Sequence, residues 1–545
     1  MYATSTSGYC RTLLTLGLIA VCAAMLSGCG GGGGGGSQDQ AIPLTVPKAS
    51  CGPNDTPETA LQGQVPAALR ATGFKGFSCN LQLLGQSKGD GANWQHTWFA
   101  DGAGHKCAFH GTAFTTANRT HLGVAVVDVT VPTNPTETAY LTTTSMLDPW
   151  ESLKVNERRQ LLSGVDAHNG GIVADNGSNG GGGSLIDIYD LSGDCTHPQL
   201  LASTPLGLPN AGGAVAGTPI IGHEGAWAPD GLTYYGSDLA NAQYYAVDTA
   251  NSTKPTLITT WKNPFFVTGL NGTVHGLSIS DDGNRAYFTS IVTSGFVDFV
   301  NLANPAVIQS NGLIIADVSD VQARKANPQI RVIGTLFWKD GAAGQHTIPV
   351  KIGGKPYIVY VDEAGSGGNS AAGWQAACAA GLPAWPFSRI IDISDEKNPK
   401  ITSKLMLETN NPANCDKVLP DLAGLASFTY GTHYCSVDNK SNATTLACGT
   451  FNSGIRVFDI RDPLRPKEIA YYNPPGATTA SPGSNHLRAG GWVAGGPDWC
   501  SAQVHLDAAT GTLQTTCQDN GFISLKFTNG VWPFPETTTP PGQQN

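Results

Sequence analysis

Charged residues are scarce in this sequence, in which Asp, Glu, Lys and Arg together make up 13% of 545 residues. The 31 Lys and Arg residues are outnumbered by 41 Asp and Glu residues, and the formal net charge is −10 at pH 7. Proteins that bind nucleic acids need a surplus of Lys and Arg to neutralise phosphate groups. The charge balance therefore excludes a basic nucleic-acid-binding surface, and we expect no nucleic-acid partner.

Sequence motifs that identify common enzymes are also absent. The chain has no H-E-x-x-H zinc motif and no C-x-x-C-H haem-attachment motif, and its one G-x-S-x-G match, GQSKG at residues 85–89, lies in a segment that reads as a β-strand rather than as a strand-to-helix nucleophile elbow. Assignment as a hydrolase or a cytochrome therefore has no direct support. Because no catalytic residue can be named, we favour a non-catalytic protein and keep an enzymatic role as the alternative.

Long apolar segments are absent after residue 29, where no run approaches the roughly 20 residues of a membrane-spanning helix. At the N-terminus, Arg11 precedes an apolar segment at residues 13–26, and the tetrapeptide LSGC occupies residues 26–29. This tetrapeptide resembles the lipobox of bacterial lipoproteins, in which the peptidase cuts before the Cys. The resemblance implies a signal peptide over residues 1–28 and lipidation of Cys29, with palmitate among the acyl chains. An ordinary secretory signal is the alternative.

Seven consecutive glycines, Gly30–Gly36, follow Cys29. Gly-rich segments behave as flexible chains, so residues 29–72 are predicted to form a flexible tether and spacer. The lipobox resemblance implies anchorage in the bacterial cell envelope, with the membrane as a partner through the lipid. Because Gly rather than Asp follows Cys29, nothing favours inner-membrane retention, and we expect an outer-membrane or cell-surface location.

Glycine and proline are abundant, with 68 Gly and 34 Pro residues, a composition typical of short strands joined by many turns. One pattern recurs along the chain: alternating apolar and polar residues end at an Asp, and a Pro-containing turn usually follows. An example is GVAVVDVTVPTNPTETAYL from Gly123. Six of these Asp residues are expected to cap the turn after their strand: Asp128, Asp190, Asp248, Asp317, Asp392 and Asp459.

Each repeat also has an opening half, which starts near a histidine and continues through an apolar run, a turn and a second strand. The seven histidines are His96, His168, His223, His275, His346, His433 and His486. Four short strands per repeat predict an all-β protein, a β-propeller of seven four-stranded blades, with six or eight blades as alternatives. The segment at residues 79–97 reads like the last strand of a repeat, and we expect it to complete the last blade and close the ring.

The repeats, such as GLIIADVSD from Gly312, are similar to the LVIVD repeat of bacterial and archaeal surface proteins. The similarity covers most of residues 79–530. It implies a propeller fold and a cell-surface setting, but no shared reaction. We place the propeller at residues 73–530, followed by a Pro-rich tail at residues 531–545.

A histidine at the start of each innermost strand would place several imidazoles around one mouth of the central channel. Imidazole is a common ligand of copper, zinc and iron, so a metal site is one interpretation. The candidate ligands are His168, His223, His275, His346, His433 and His486. Packing between blades is the alternative, and we favour it because repeats also copy residues for packing. Candidate residues for binding another ligand are Glu224, Trp227, Trp374 and Trp385.

Ten of the 13 cysteines remain after signal removal and lipidation of Cys29. An even number in an exported protein favours disulfides over metal thiolates. The spacing favours the pairs Cys435–Cys448 and Cys500–Cys517 and, less clearly, Cys378–Cys415. The remaining four stay unassigned: Cys51, Cys79, Cys107 and Cys195.

The sequence thus predicts a lipid-anchored propeller of the cell envelope that binds a protein, glycan or small molecule through its top-face loops and central channel. A metal-dependent oxidoreductase that uses channel-facing histidines is the alternative, and a structural role in the envelope is a third possibility. Geometry distinguishes the first two. Three or more imidazole nitrogens around one point would favour a metal site, whereas histidines bonded separately to the backbone would favour packing.

Overall fold

The computed structural model describes residues 44–535, except 113–119, 168–184, 210–214, 240, 266–270, 294–310, 426 and 489–491. The predicted signal peptide, Cys29, the glycine run and the last ten residues of the tail lie outside the described residues. In the described part of the chain, no helix combines the length and the apolar character needed to cross a membrane.

Strands dominate the described residues, and the helices are short. The chain enters through helix α1 (Ala67–Ala71) and strands β1 (Phe77–Cys79) and β2 (Leu81–Ser87). The other helices are α2 (Thr144–Leu147), α3 (Ser319–Gln322), α4 (Ala371–Ala379), α5 (Cys415–Val418) and α6 (Asn485–Arg488). The helices contribute to connections, and the sheets form the body of the protein.

The first three blades follow one another along the chain. Blade 1 contains β3 (His96–Ala100), β4 (Lys106–His110), β5 (Val124–Asp128) and β6 (Thr136–Leu141). Blade 2 contains β7 (Lys154–Asn156), β8 (Leu161–Val165), β9 (Leu185–Asp190) and β10 (Gln199–Pro205). After a ribbon of β11 (Gly207–Pro209) and β12 (Val215–Pro219), blade 3 contains β13 (Gly225–Trp227), β14 (Thr233–Asp238), β15 (Gln243–Asp248) and β16 (Thr256–Lys262).

Four more blades complete the ring. Blade 4 contains β17 (Asn271–Ile279), β18 (Arg285–Thr293), β19 (Gly312–Asp317) and β20 (Arg331–Phe337). Blade 5 contains β21 (Ala342–Ile352), β22 (Lys355–Ala364), β23 (Ser388–Asp392) and β24 (Lys400–Leu405). Blade 6 contains β25 (Cys435–Val437), β26 (Thr445–Gly449), β27 (Ile455–Asp459) and β28 (Lys467–Asn473), and blade 7 contains β29 (His505–Asp507), β30 (Thr512–Cys517) and β31 (Gly521–Phe527).

The described residues therefore form a seven-bladed β-propeller of antiparallel four-stranded blades, as predicted. The ring closes where β2 pairs with β31, in a register that sets Leu81 opposite Phe527. This confirms that an N-terminal strand completes the last blade. Such closure leaves no open edge between the first and last blades.

Burial is greatest in the middle strands of the blades, and this distribution explains the sequence pattern of the repeats. The third strands are almost wholly buried, as in β27, whereas an innermost strand such as β13 and a fourth strand such as β20 are mostly only partly buried. Apolar residues of neighbouring blades interlock between the sheets, for example Val359 of blade 5 with Phe458 of blade 6 in one cluster. Continuous apolar runs therefore mark strands buried on both faces.

The recurring Asp residues cap turns, as the sequence predicts. Each stands at the end of the third strand of its blade, and one carboxylate oxygen accepts a hydrogen bond from the backbone N–H two residues on, at 2.8–3.1 Å. The six residues are Asp128, Asp190, Asp248, Asp317, Asp392 and Asp459. An Asx turn of this kind fixes where the strand ends and the chain reverses.

Five disulfides are present in the described residues. They include the three predicted pairs, Cys378–Cys415, Cys435–Cys448 and Cys500–Cys517. The unassigned cysteines form two further disulfides. Cys51–Cys79 holds residues 44–79, which precede the blades and which we call the entering segment, and Cys107–Cys195 links blade 1 to blade 2.

Residues 44–72 differ from the prediction of a flexible spacer, because they pack against blade 6. Val65 is completely buried, and β1 adds a fifth strand to that blade by pairing with β28. Arg456, fully buried, forms ion pairs with Glu58 of the entering segment and with Glu468 of β28. Buried ion pairs and a disulfide, rather than a continuous apolar run, hold this segment, which explains why composition did not reveal it.

We predict that replacing Arg456 by Met destabilises the protein strongly, because Glu58 and Glu468 would be left buried without a cation. Removing one partner of a buried ion pair costs about 3–5 kcal/mol. The free energy of unfolding should be measured by urea denaturation with tryptophan fluorescence. The matched control is Arg465→Met, an exposed Arg near the same blade, which should change little. Equal effects of the two substitutions would contradict the structural role of Arg456.

Candidate functional site

The innermost strands of all seven blades surround a central channel. Its open part is a cavity of about 610 Å³, lined by side chains from every blade, from Thr97 and Trp98 of β3 to Gln503 just before β29. The lining is mostly polar and contains both Lys154 and Glu224. A cavity of this size accommodates a small molecule.

Five ionisable side chains meet at one end of this channel, one from each of five consecutive blades. They are Glu151 before β7, His223 before β13, His275 in β17, Glu363 in β22 and His433 before β25. We call these five residues the channel cluster. All five are at least nine-tenths buried. The ring geometry explains the convergence of four of them, because side chains in or just before innermost strands point towards a common axis. Glu363 reaches the same place from the end of the second strand of its blade.

The functional atoms of the channel cluster lie close together. Nε2 of His223 is 2.6 Å from Nε2 of His275. Oε2 of Glu151 lies 3.2 Å from the first of these nitrogens and 3.4 Å from the second. The other carboxylate oxygen, Oε1, lies 3.1 Å from Nε2 of His433. Glu363 approaches the same nitrogens, at 3.6 Å from His433 and 3.8 Å from His275.

Backbone carbonyls orient two of the imidazoles. Nδ1 of His275 is 3.0 Å from the carbonyl oxygen of Gly344, and Nδ1 of His433 is 2.9 Å from that of Ser501. A nitrogen beside a carbonyl oxygen must carry the proton and donate it. In the neutral rings, Nε2 is therefore left with a lone pair directed into the cluster, the arrangement that metal-binding histidines usually have.

The charges of the channel cluster favour binding of a cation. Burial raises the pKa of Glu151, but the imidazoles of His223, His275 and His433 outweigh it and hold this pKa well below its usual value. Burial lowers the pKa of His433, yet the carboxylates of Glu151 and Glu363 raise it to about 9. Burial also lowers the pKa of His275, but the carboxylates of Glu151 and Glu363 outweigh it and raise this pKa above its usual value.

Two buried atoms of the cluster have no hydrogen-bond partner of suitable geometry among the described residues. They are Oε2 of Glu151 and Nε2 of His433. Leaving a buried polar atom unbonded costs about 1–3 kcal/mol, and more for charged groups. A metal ion would satisfy both atoms, so the donor set fits a divalent transition metal.

Aromatic side chains cover the cluster. The ring of Trp94 lies 5.2 Å from that of His433, and the ring of Trp150 lies 6.2 Å from that of His223. Together with Phe428, Phe451 and Trp499 they form one apolar group. We call these five residues the aromatic cap.

Three residues of the aromatic cap have a left-handed backbone. The φ angle is +48° at Trp150, +68° at Phe428 and +41° at Phe451. Bulky residues rarely adopt this conformation, which costs about 1–3 kcal/mol per residue and tends to occur at functional sites. At Trp150 it directs the chain so that the next residue, Glu151, enters the cluster, where its N–H bonds the carbonyl of His223 at 3.2 Å.

The channel cavity ends beside the cluster: it is lined by chain neighbours of the cluster residues, and none of the five cluster residues is among its lining residues. Glu224 and Tyr434 line the cavity and directly follow the cluster residues His223 and His433 in the chain. Nζ of Lys154 lies 3.5 Å from Oε1 of Glu224 and also borders the cavity. A small polar molecule in the channel would therefore meet Glu224, Lys154 and Tyr434 beside the cluster.

The six predicted histidine ligands have different positions. His223, His275 and His433 belong to the channel cluster, whereas His168 lies outside the described residues. His346 is buried beside the channel, and its Nε2 is 3.2 Å from the carbonyl oxygen of Cys435, a contact that suits blade packing. Burial lowers its pKa well below the usual value, so the ring is neutral.

His486 does not occupy an innermost strand, contrary to the expected pattern. It lies in α6, and the innermost strand of blade 7 is β29. Its Nδ1 is 3.0 Å from Oδ2 of Asp519, and Asp498 completes a small buried group. Asp498 accepts hydrogen bonds from three backbone N–H groups and a side-chain amide, which indicates a structural carboxylate.

The four candidate residues for binding another ligand lie in two different places. Glu224 and Trp227 line the channel. Trp374 and Trp385 are buried in an apolar cluster with Val418 and Tyr430, formed by α4, α5 and nearby connections. Neither is among the channel-lining residues, because the insertion that carries them folds into its own small core.

The sequence missed both carboxylates of the channel cluster. Glu151 occupies in blade 2 the place that histidines hold in blades 3 and 6, and the recurring-histidine search assigned that blade to His168 instead. Glu363 lies at the end of a second strand, in the segment YIVYVDEA. A search for acidic residues at repeat-equivalent positions would have found Glu151.

No family model and no curated protein match this chain. Solved structures are similar at low identity. A structure described as a putative 6-phosphogluconolactonase from Bacteroides uniformis is 11% identical, with 78% of this chain and 93% of that chain covered and a TM-score of 0.46. A protein from Lactobacillus plantarum is 13% identical, with 75% and 88% covered and a TM-score of 0.43. Hydrazine synthase from Kuenenia stuttgartiensis is 12% identical, with 81% and 97% covered and a TM-score of 0.43.

We predict that Gly276→Ala disturbs the site and lowers stability. A Cβ at this position would overlap with Oε2 of Glu224 and with the carbonyl oxygen of Gln345. Overpacking of this kind costs about 1–3 kcal/mol or more. The melting temperature should fall clearly, while the control Gly193→Ala, whose Cβ would meet nothing within 4 Å, should leave it unchanged. Equal melting temperatures for the two variants would show that the strand adapts without strain.

Proposed function

We propose that this protein is a metal-dependent enzyme of the bacterial cell envelope. The metal is a divalent first-row transition metal held by the channel cluster, and the substrate is a small molecule that enters along the channel. One observation carries the proposal: three imidazole Nε2 atoms and two carboxylates converge, with N···N and N···O distances of 2.6–3.8 Å between them. Such convergence supports metal binding better than blade packing, which requires only separate hydrogen bonds.

The ligand atoms of the channel cluster indicate which metals it can bind. Imidazole suits zinc, copper and iron, and the absence of thiolate and thioether from the cluster disfavours copper(I). Electron exchange through the metal itself requires a redox-active ion such as iron or copper. We propose an oxidoreductase that uses such an ion, and a protein that retains only zinc would contradict this redox role without contradicting metal binding.

The surroundings support chemistry at the metal rather than a purely structural ion. Structural zinc sites are closed by four protein ligands, whereas catalytic sites keep a position for water or substrate. The channel cavity reaches the neighbours of the cluster, Glu224 and Tyr434, while the aromatic cap covers it on its apolar side. Substrate would thus approach from one direction, and exclusion of water behind the metal would strengthen electrostatic interactions there.

We also propose that the protein is a lipoprotein of the LVIVD-repeat type, anchored through Cys29. The repeats and the LSGC tetrapeptide support this proposal. The membrane anchor would hold the propeller at the envelope, where the channel samples small molecules outside the cytoplasm. Binding of protein or glycan partners through the loops is compatible with this setting, but no contact among the described residues supports a particular partner.

The metal content of the full-length protein, purified in detergent without chelator or histidine tag, tests the central proposal. We expect at least one iron or copper ion per chain by elemental analysis. We expect His275→Ala to lower the metal affinity by about tenfold or more, since even substitutions of residues that only orient ligands cost 10- to 100-fold.

The matched control is His96→Ala. His96 is also completely buried at the start of an innermost strand, and its Nδ1 contacts a backbone carbonyl, that of Gln503 at 3.0 Å, but it lies outside the cluster. The control should retain the metal. Wild-type protein that stays metal-free in metal-replete medium would contradict the proposal, as would equal loss in both variants.

Lipidation has its own test. Cys29→Ser should abolish incorporation of labelled palmitate and release the protein from the membrane fraction, since acyl chains provide the proposed anchor. The control Cys22→Ser alters a cysteine within the apolar part of the signal and should leave labelling intact. Unlabelled wild-type protein would indicate an ordinary secretory signal.

A further inference from the structure

We infer that the channel cluster binds two transition-metal ions, bridged by Glu151 and Glu363, rather than one. The inference rests on the proposed metal-binding function and adds the number of ions, the bridging role of both carboxylates and the kind of ligand that the site would take. The evidence is the way in which the two oxygens of each carboxylate are divided among the imidazoles.

Glu151 divides its oxygens between two groups of nitrogens. Oε2 faces His223 and His275, at 3.2 Å and 3.4 Å from their Nε2 atoms. Oε1 faces His433, at 3.1 Å from its Nε2. A carboxylate that binds a single ion with both oxygens would direct them to the same place. Here the two oxygens are directed to different imidazoles.

Glu363 repeats this division from the opposite blade. Its Oε2 lies 3.8 Å from Nε2 of His275, and its Oε1 lies 3.6 Å from Nε2 of His433. Glu151 thus offers one oxygen to His223 and His275 and the other to His433, whereas Glu363 offers one oxygen to His275 and the other to His433. Two carboxylates that each join the same two positions form a double bridge, which fits paired ions about 3.5–4 Å apart.

Two groups of three potential ligands can be separated in the cluster. In one, ligand atoms of Glu151, His223 and His275 all lie within 4.8 Å of one another, and in the other, those of Glu151, Glu363 and His433 do so. The groups share Glu151, as a bridging carboxylate requires. The first group supplies two imidazoles to one ion, and the second supplies one imidazole to the other.

The difference between the two positions has a chemical consequence. The ion beside His433 has fewer protein nitrogens, so more of its coordination positions remain for exogenous ligands. Two divalent ions carry more charge than the two bridging carboxylates neutralise. A hydroxide or an oxygen anion of the substrate that bridges both ions would reduce the excess. Glu224, whose buried Oε2 has no hydrogen-bond partner among the described residues, is the next carboxyl group along the channel. The site thus selects ligands with an anionic oxygen.

The number of ions and their magnetic coupling test the inference. The full-length protein should be stripped with a chelator, loaded with Co²⁺, dialysed and analysed for cobalt per chain. We expect two Co²⁺ per chain, and an electron paramagnetic resonance signal weaker than that of two isolated ions, because bridging oxygens couple the spins. His433→Ala should halve the cobalt content and restore the signal of an isolated ion, whereas His96→Ala should behave as the wild type.

Each outcome separates this inference from the proposed function. One Co²⁺ per chain would overturn the two-ion inference and leave a mononuclear enzyme. Two uncoupled ions would overturn it as well, because one of them would lie outside the cluster. No bound Co²⁺ would overturn both. Since the wild-type protein alone gives these results, the test does not depend on the folding of a variant.

Discussion

Ring closure is the constraint on which the rest of this structure depends. The pairing of β2 with β31 joins the first and last parts of the chain, and without it blade 7 would have three strands and an exposed edge. The entering segment must cross blade 6 before it reaches blade 7, and Arg456 and the disulfide Cys51–Cys79 hold it there. Closure also fixes the seven innermost strands around one axis, so that single residues from separate blades can meet.

Repetition supplies equivalent positions, and small differences in orientation decide what each position does. His96, His275 and His433 all place Nδ1 beside a backbone carbonyl, which is the hydrogen bond that blade packing requires. Only in His275 and His433 does Nε2 also reach the carboxylates of the channel cluster. Packing and metal binding are therefore not exclusive explanations, because the packing hydrogen bond is what orients the ligand.

Much of the fold could be predicted from the sequence because the turn-capping Asp residues and the strand pattern are local signals. The blade number and the closing strand followed from them. Glu151 and Glu363 could not be found in the same way. Glu151 precedes β7 at the place where His223 and His433 precede β13 and β25, so a pattern defined by histidine does not include it. The contribution of Glu363 depends on how far β22 extends towards the axis, which is a property of the assembled ring.

The prediction of a flexible spacer was wrong for residues 44–72 for a different reason. Its composition offers little apolar surface, and apolar surface is what sequence reasoning uses to predict packing. Glu58 and Gln62 instead pair with Arg456 and Glu468 inside blade 6. Such contacts depend on partners about 400 residues away, which local patterns do not reveal.

The channel cluster is unfavourable for the free energy of folding, so a protein that needs only a stable fold would not require it. Five ionisable groups are buried together, two of their atoms lack suitable hydrogen bonds, and three residues of the aromatic cap adopt a strained backbone. Apolar residues of similar volume would often be at least as stable in such a place. The closed ring of blades holds these groups together despite this unfavourable free energy. A cation at the cluster would remove much of this free-energy cost by satisfying the carboxylates and imidazoles at once, which supports the proposed metal site beside the packing role of the same histidines.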